Sequence, residues 1–339
     1  MEILVVVGNV ALILAVYLKA LKLRSATPII FLTLILTAQA QAQEEGILRD
    51  PSTGDYVITY KGDDGTLRRV IWVPATKVKP KVRSTFASGQ EDTFLYSYKV
   101  KNDTEAGQPL FLISLIASEV AESDPLAPTG WQGSARPNFG SEGMRVTWSI
   151  QRRTSVSDGL APGNMLMGLR LESRHLPGVG TIRFHGSTPT LAFPDEGPGG
   201  KIGDFLEEHR NPAVDSVPRH AAVPTVPVPQ PFDAAAILNA IQDHVYELVG
   251  MKQVEPAFAS RLGGLLTAAR EALGRDDIAS ALSHLKEVQL LIKEESGQQH
   301  YDEWDSEETA SPTLLITQLV ARVLLFDVGF VIRHLDTGV

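Results

Sequence analysis

The chain contains no cysteine. That excludes disulfides, thiolate metal sites and a Cys nucleophile. It also excludes lipid attachment through a Cys after export. Aromatic residues make up 7% of the chain. Basic charge is scarce as well: 31 Lys and Arg against 40 Asp and Glu give a net charge of −9. A chain with that balance has no general affinity for phosphate backbones, which requires clustered Lys and Arg, so nucleic acid is not an expected partner. Also missing are a Gly-x-Ser-x-Gly elbow, a His-Glu-x-x-His pair and a Cys/His metal spacing. No catalytic, cofactor-binding or metal-binding residue is therefore assigned, and no cofactor is expected.

What is present is length and order. At 339 residues with 43% hydrophobic and 21% charged residues, the chain has material for two ordinary domains and a linker. The acidic surplus is local. Fifteen acidic and six basic residues fall between Asp233 and Ser311, which accounts for the whole net charge. A solvated face that keeps the protein soluble explains this more simply than a cation site, because no Asp-x-Asx-x-Asx-Gly loop accompanies it.

The N-terminus carries two apolar runs, Ile3–Tyr17 and Pro28–Thr37, the second preceded by Lys19, Lys22 and Arg24. Basic residues, a short apolar core and the Ala-x-Ala sites at 38–40 and 40–42 describe a secretory signal peptide. Residues 1–42 are thus read as a signal peptide or N-terminal hydrophobic segment, with cleavage after Ala42 or Ala40. The first run leaves two readings open: a start placed too far upstream, or a transmembrane helix that anchors the protein through residues 3–37. The expected location is outside the cytoplasm, periplasmic or extracellular. No bulk membrane role is expected beyond this segment.

From 46 to 186 the pattern alternates with period two, as strands with one buried face do. "DYVITY" is followed by the Asp64-Gly65 hairpin signal, and Asp63 and Asp64 are read as turn residues rather than calcium ligands. "DTFLYSYKVKND" puts Phe94, Tyr96, Tyr98 and Val100 on one face. "QPLFLISLIAS" is nearly all apolar, which predicts a strand buried on both sides and paired with the preceding one. "GMRVTWSIQ", "LAPGNMLMGLRLES" and "LPGVGTIRFHG" continue the series, and Trp131 and Trp148 are expected in the core. Short strands separated by turn signals predict a sandwich.

Four segments carry a resemblance. "FLYSYKVKNDTEAGQPLFLISL", "PTGWQGS", "VTWSI" and "LAPGNMLMGLRLESRHLPGVGTIRFHG" resemble an immunoglobulin-like β-sandwich of exported bacterial proteins of unknown function. The matching residues are Tyr96, Tyr98, Val100, Asn102, Gly130, Trp131, Trp148, Ser149, Pro162, Gly163, Leu166 and Gly168. The likeness spans roughly 91–186 and implies a fold and an extracytoplasmic setting, not an activity.

Residues 187–231 are rich in proline, and "VPTVPVPQP" predicts a stiff, extended linker. "GPGGK" lacks the Walker spacing, since Asp195 stands where Gly is needed and Ile202 where Ser or Thr is needed. His209 and His220 are expected to be solvent-exposed. From Asp233, apolar residues recur at helical spacing: Leu238, Ile241, Val245 and Leu248; Phe258, Leu262, Leu265, Leu266, Ala269 and Leu273; Ile278, Ala281, Leu285, Val288 and Ile292. Gly274 reads as the C′ glycine of the second helix, and Asp276 or Asp277 as the N-cap of the third. Three such stripes satisfy one another as a small antiparallel bundle.

"SRLGGLLTAAREALGRDDIASALSHLKEVQLLIKEE" is similar to the FIMAH-type helical module of exported multidomain proteins, over about 232–296. The chain departs from that pattern in "YDEWDSEE" and in an apolar helix expected at 312–335. Three charges in that helix (Arg322, Asp327, Arg333) argue against a membrane span and for docking on the bundle or on a partner. Ser283 and Lys286 match Ser-x-x-Lys by letters alone and lie on an exposed helix face.

The fold class expected is α+β multidomain: an N-terminal antiparallel immunoglobulin-like β-sandwich and a C-terminal antiparallel helical bundle. The function expected is that of a non-catalytic binding or scaffold protein with a protein or cell-envelope partner. The alternative is an accessory or remnant hydrolase whose carboxylate pair carries no local motif.

Overall fold

A computed structural model describes residues 45–90, 93–121, 124–139, 142–152, 154–211, 213–296, 304 and 315–337. The hydrophobic segment and its cleavage sites lie outside the described residues, as do Glu91 and most of the acidic stretch after Ser296. Among the described residues no helix is long and apolar enough to cross a membrane.

The protein is α+β with antiparallel sheets. Three strands, β1 (Gly46–Arg49), β2 (Tyr56–Lys61) and β3 (Leu67–Trp72), form a small sheet in that order. The Asp64 carboxylate accepts from the Thr66 amide at 3.0 Å and Gly65 takes φ +79°, so the expected hairpin turn is there. Its inner face, with Ile58, Tyr60 and Trp72, is covered by α1 (Gly200–His209) through Leu206 and Phe205. Tyr60 donates to Asp195 at 2.8 Å and Arg68 pairs with it at 3.2 Å, tying the 190s to this sheet.

Two further sheets enclose the main core. One has the order β4 (Pro80–Ser88), β5 (Phe94–Asn102), β9 (Met165–Ser173). The other has the order β11 (Val217–Val226), β10 (Leu176–Gly186), β6 (Leu110–Ala117), β8 (Met144–Ile150), β7 (Trp131–Pro137). Phe94, Tyr96, Tyr98 and Val100 are buried as their alternation requires, and Tyr98 lies 5.5 Å from Trp148 across the sandwich. Trp148 is fully buried, whereas Trp131 is only half-buried at the sheet edge. In β9 the buried parity changes between Leu166 and Leu169, because Gly168 takes φ +91° at a register shift. Such a bulge favours glycine, which has no Cβ to clash.

Two strand expectations need correction. β6 does not pair with β5: it crosses to the opposite sheet and pairs with β10 and β8. Nor is it buried on both sides. Ile113, Leu115 and Ala117 face the core, but Ser114 is half-buried and Ile116 is 42% exposed. The physical reason is that the helices pack mainly against β10 and β11 and leave the outer face of β6 open.

The proline-rich stretch 187–231 is also not a spacer. It contains α1 and the ten-residue strand β11, which pairs with β10 from Leu176↔Val226 to Phe184↔Val217. Its prolines are tolerated because β11 is an edge strand of its sheet. β11 also joins the two sheets. Ser84 accepts from the Ala222 amide at 2.9 Å, Tyr98 donates to the Ala222 carbonyl at 2.9 Å, and Arg219 donates to the Pro80 carbonyl at 3.0 Å. His209 stacks on Phe205 at 3.8 Å and His220 is half-buried; neither is a freely solvated loop histidine.

Four further helices follow among the described residues: α2 (Ala234–Gly250), α3 (Pro256–Leu273), α4 (Ile278–Glu295) and α5 (Gln318–Thr337). Asp233 caps α2 by accepting from Ala236, and Asp277 caps α4 by accepting from Ser280, both at 3.0 Å. At the α3–α4 joint Gly274 is right-handed (φ −64°), so it is not the C′ glycine expected. Asp276 carries the left-handed turn instead (φ +55°), a conformation Asp tolerates better than most residues. Ser283 and Lys286 are exposed on α4.

The helices are not a separate body. Their buried residues and those of the sandwich form one continuous core. α5 lies against β4 and β5: Phe326 meets Phe86 at 5.1 Å and Phe94 at 5.9 Å, Phe330 meets Phe94 at 5.4 Å, and Arg322 donates to the Ser84 carbonyl at 3.0 Å. On α2 the buried His244 accepts the Val179 amide at Nε2 (2.9 Å) and contacts Glu247 through Nδ1 at 3.2 Å.

His244 makes this junction acid-sensitive. Burial holds its basicity below that of a free imidazole, with Glu247 opposing. The unfolded chain takes up the proton near pH 6.5, while the folded chain resists it to a lower pH. Stability is therefore full above about pH 6.5 and falls as pH drops below it. A proton on Nε2 would set a donor against the Val179 donor. Melting temperature measured from pH 7.5 to 5.5 should fall, and His244→Leu should lower it at pH 7.5 but flatten the slope. Some slope should remain, because burial also lowers His175, His185 and His220.

Candidate anion-binding face

The open face of the five-stranded sheet is set by the parity of three neighbouring strands. In β6, β8 and β10 the core takes Ile113, Leu115, Val146, Trp148, Ile182 and Phe184. Side chains alternate along a strand, so Ser114, Ile116, Arg145, Thr147, Thr181 and Arg183 point away from the core. The register places them side by side. Ser114 is opposite both Arg183 and Thr147, and Ile116 is opposite Arg145. Ser134 and Arg136 of β7 extend the rows, opposite Thr147 and Arg145, and the Ser134 and Thr147 hydroxyls are bonded at 2.8 Å.

A cavity of about 340 Å³ opens on this face, lined by Ser114, Leu115, Ile116, Asn138, Arg145, Thr181, Arg183, Asn211 and Ala213. Asn138 comes from the β7–β8 hairpin, and Asn211 and Ala213 from the segment between α1 and β11. The lining holds two guanidinium groups and no carboxylate. Each guanidinium is fixed through one nitrogen. Arg145 Nη2 donates to Asn138 Oδ1 at 3.1 Å. Arg183 Nη1 donates to the Ala213 carbonyl at 2.8 Å and to Ser216 Oγ at 3.2 Å. These acceptors are neutral, so both positive charges persist at the cavity.

His185, two residues beyond Arg183, registers that charge. Its imidazole is less basic than a free one chiefly because it is buried; its bond to the Asp215 carbonyl opposes the shift, and the Arg183 and Arg145 charges add smaller contributions to it. Preformed, forked donors beside hydroxyls and amides suit an oxyanion carried on a polar molecule.

Carboxylates meet elsewhere. Glu196 and Glu207 share an open groove beside Phe193 with Arg210, and Glu287 and Glu294 line a groove on α3 and α4 with Arg261. Among the described residues no group of three His, Asp or Glu is placed to hold a metal ion. "GPGGK" forms the entry to α1, with Gly197 and Gly200 at positive φ.

The arginine face was missed by reading only the apolar parity of these strands. "MRVTWSI" and "TIRFHG" also alternate in their polar positions, and the same period that buries Val146 and Ile182 exports Arg145 and Arg183. No local signal joins the two, since the neighbouring of β8 and β10 on either side of β6 is a property of topology.

No family model matches this chain, so the FIMAH-type likeness of 232–296 has no family match behind it. No curated protein matches it either. Among solved structures, one similar chain is an uncharacterized protein from Nocardia farcinica described as having an immunoglobulin-like fold. It is 16% identical, with 35% of this chain and 89% of that chain covered, at a TM-score of 0.25. A superposition at that score fixes neither fold class nor function.

Proposed function

We propose that the protein is an exported, non-catalytic binding protein that uses the open face of its five-stranded sheet for recognition. The observation that carries this reading is the composition of the cavity: two anchored guanidiniums, hydroxyls and amides, with no His, Asp or Glu among its lining to act as a base. A hydroxyl without a base is a poor nucleophile, whereas rigid donors on strands are well suited to holding a ligand. On this reading the strand order and the Tyr96–Asn102, Gly130–Trp131, Trp148–Ser149 and Pro162–Gly168 segments belong to an immunoglobulin-like sandwich. The helices from 232 to 296 are taken as a FIMAH-type module that has merged its core with the sandwich. The partner is a component of the cell envelope or its surroundings.

The competing reading is a hydrolase working through Glu196 and Glu207, which face one groove. The full chain, assayed against ester, peptide and glycoside substrates, is expected to give no turnover. Turnover that disappears in Glu196→Gln or Glu207→Gln would sink the non-catalytic reading.

A further inference from the structure

We infer that the face carrying Arg145 and Arg183 binds an acidic saccharide, its oxyanion (a uronic carboxylate or a sulfate ester) seated between the two guanidiniums. This inference rests on the reading of the protein as a binding module and names its ligand class. The volume of about 340 Å³ lies within the range of small-molecule sites. Each guanidinium keeps N–H groups beyond the one nitrogen that anchors it, so an oxyanion can be gripped without first ordering a long side chain.

The rest of the lining selects against other anions. Ser114, Thr181, Asn138 and Asn211 offer both donors and acceptors; a hydroxylated ring can use both, whereas a bare sulfate can only accept. The cavity sits over β10, β6 and β8, the interior strands of the sheet. A peptide there would find no free strand edge on which to hydrogen-bond its backbone. Phe139, next to Asn138 on the same hairpin, is 94% exposed. A ring so exposed among the described residues offers a surface for the apolar face of a sugar.

The test is calorimetric titration of the full chain at low and high salt. Four probes are used: digalacturonate, a sulfated disaccharide, uncharged cellobiose, and a tetraglutamate peptide. Binding of at least one acidic disaccharide is expected, weakening as salt rises, with cellobiose inert. The two acidic arms tell carboxylate from sulfate. Arg145→Gln and Arg183→Gln should each weaken binding tenfold or more. Arg183→Lys should restore only part of it, because the fork is lost. Arg183 also holds the 213–216 segment, so Arg145→Gln and Phe139→Ala, at exposed positions, serve as variants whose melting temperature should not move. Phe139→Ala should cost several-fold for the disaccharide.

Failure takes distinct forms. Tetraglutamate binding as tightly, with the same dependence on both arginines, overturns the saccharide class and leaves the recognition face standing. Affinity indifferent to both arginines overturns the site. Silence with every probe overturns this inference, while the non-catalytic reading still stands or falls on its own turnover assay.

Discussion

A chain ending at Thr317, without α5, should lose the cooperative fold of the sandwich rather than shed an appendage. α5 buries Leu319, Val320, Val323, Leu324, Val328, Phe330 and Val331. At roughly 1.5–3 kcal/mol for each large apolar side chain removed from water, the helix contributes on the order of 10 kcal/mol or more. A whole domain is stable by only about 5–15 kcal/mol. The surface left behind would expose Phe86 and Phe94 of the three-stranded sheet, which α5 covers through Phe326 and Phe330. The expected result is loss of near-ultraviolet circular dichroism and of a single sharp melting transition. Phe330→Ala is the gentler version: Phe330 touches Phe94, Phe232 and His334, and its truncation should cost about 3–5 kcal/mol. An unchanged transition in the shortened chain would show that the sandwich stands alone and that the shared core is incidental.

That expectation runs against a modular reading of the sequence, and the reason is physical. Local signals were legible wherever the chain pays its costs locally. The alternation of Phe94, Tyr96, Tyr98 and Val100, the Asp64-Gly65 hairpin, and the Asp233 and Asp277 caps all depend on residues a few positions apart. Partnership between distant segments was not legible. "LFLISLIA" reads as a strand sealed on both sides because its composition is apolar, but composition does not say that β10 and β8 flank it and leave Ser114 and Ile116 open. "VPRHAAVPTV" reads as a linker because prolines disfavour interior strands, yet on an edge strand they forgo only hydrogen bonds that the ladder to β10 does not need. The helical stripes of α2 to α4 were visible, but stripes satisfied by one another and stripes shared with a sheet look alike in sequence. The candidate site suffered most, since Arg145 and Arg183 lie 38 positions apart in sequence and line one cavity only through the strand order.

Asp327 places a carboxyl in the shared core, and replacing it should stabilise the protein as pH rises. It lies on the buried side of α5 among Leu324, Val328 and Val331, fully enclosed, and its Oδ1 has no hydrogen-bond partner. Burial pushes its carboxyl well above the ordinary carboxylate range. It also lies near enough to the Tyr96 phenol to raise it, though burial of that ring is the larger cause. The folded chain holds this proton to a higher pH than the unfolded chain, which releases it near pH 3.9. Above about pH 4 the unfolded state therefore binds fewer protons, and stability falls as pH rises towards the folded-state value. Asp327→Asn keeps the shape and removes the titration. The variant and the wild type should lie within about 1 kcal/mol of each other near pH 4.5, since both then bury a neutral polar group without full hydrogen bonding. As pH rises above 4.5 the variant should melt progressively higher than the wild type, until the folded carboxyl itself ionises, while the His244 dependence stays in both. Asp327→Leu, which has no polar group to satisfy, should gain over the wild type at every pH if the seam between α5 and β5 can take its extra volume. A wild-type melting temperature that does not fall relative to Asp327→Asn as pH rises would mean that the carboxyl finds a partner in solution, and that the junction of helix and sandwich is wetter than its apolar lining implies.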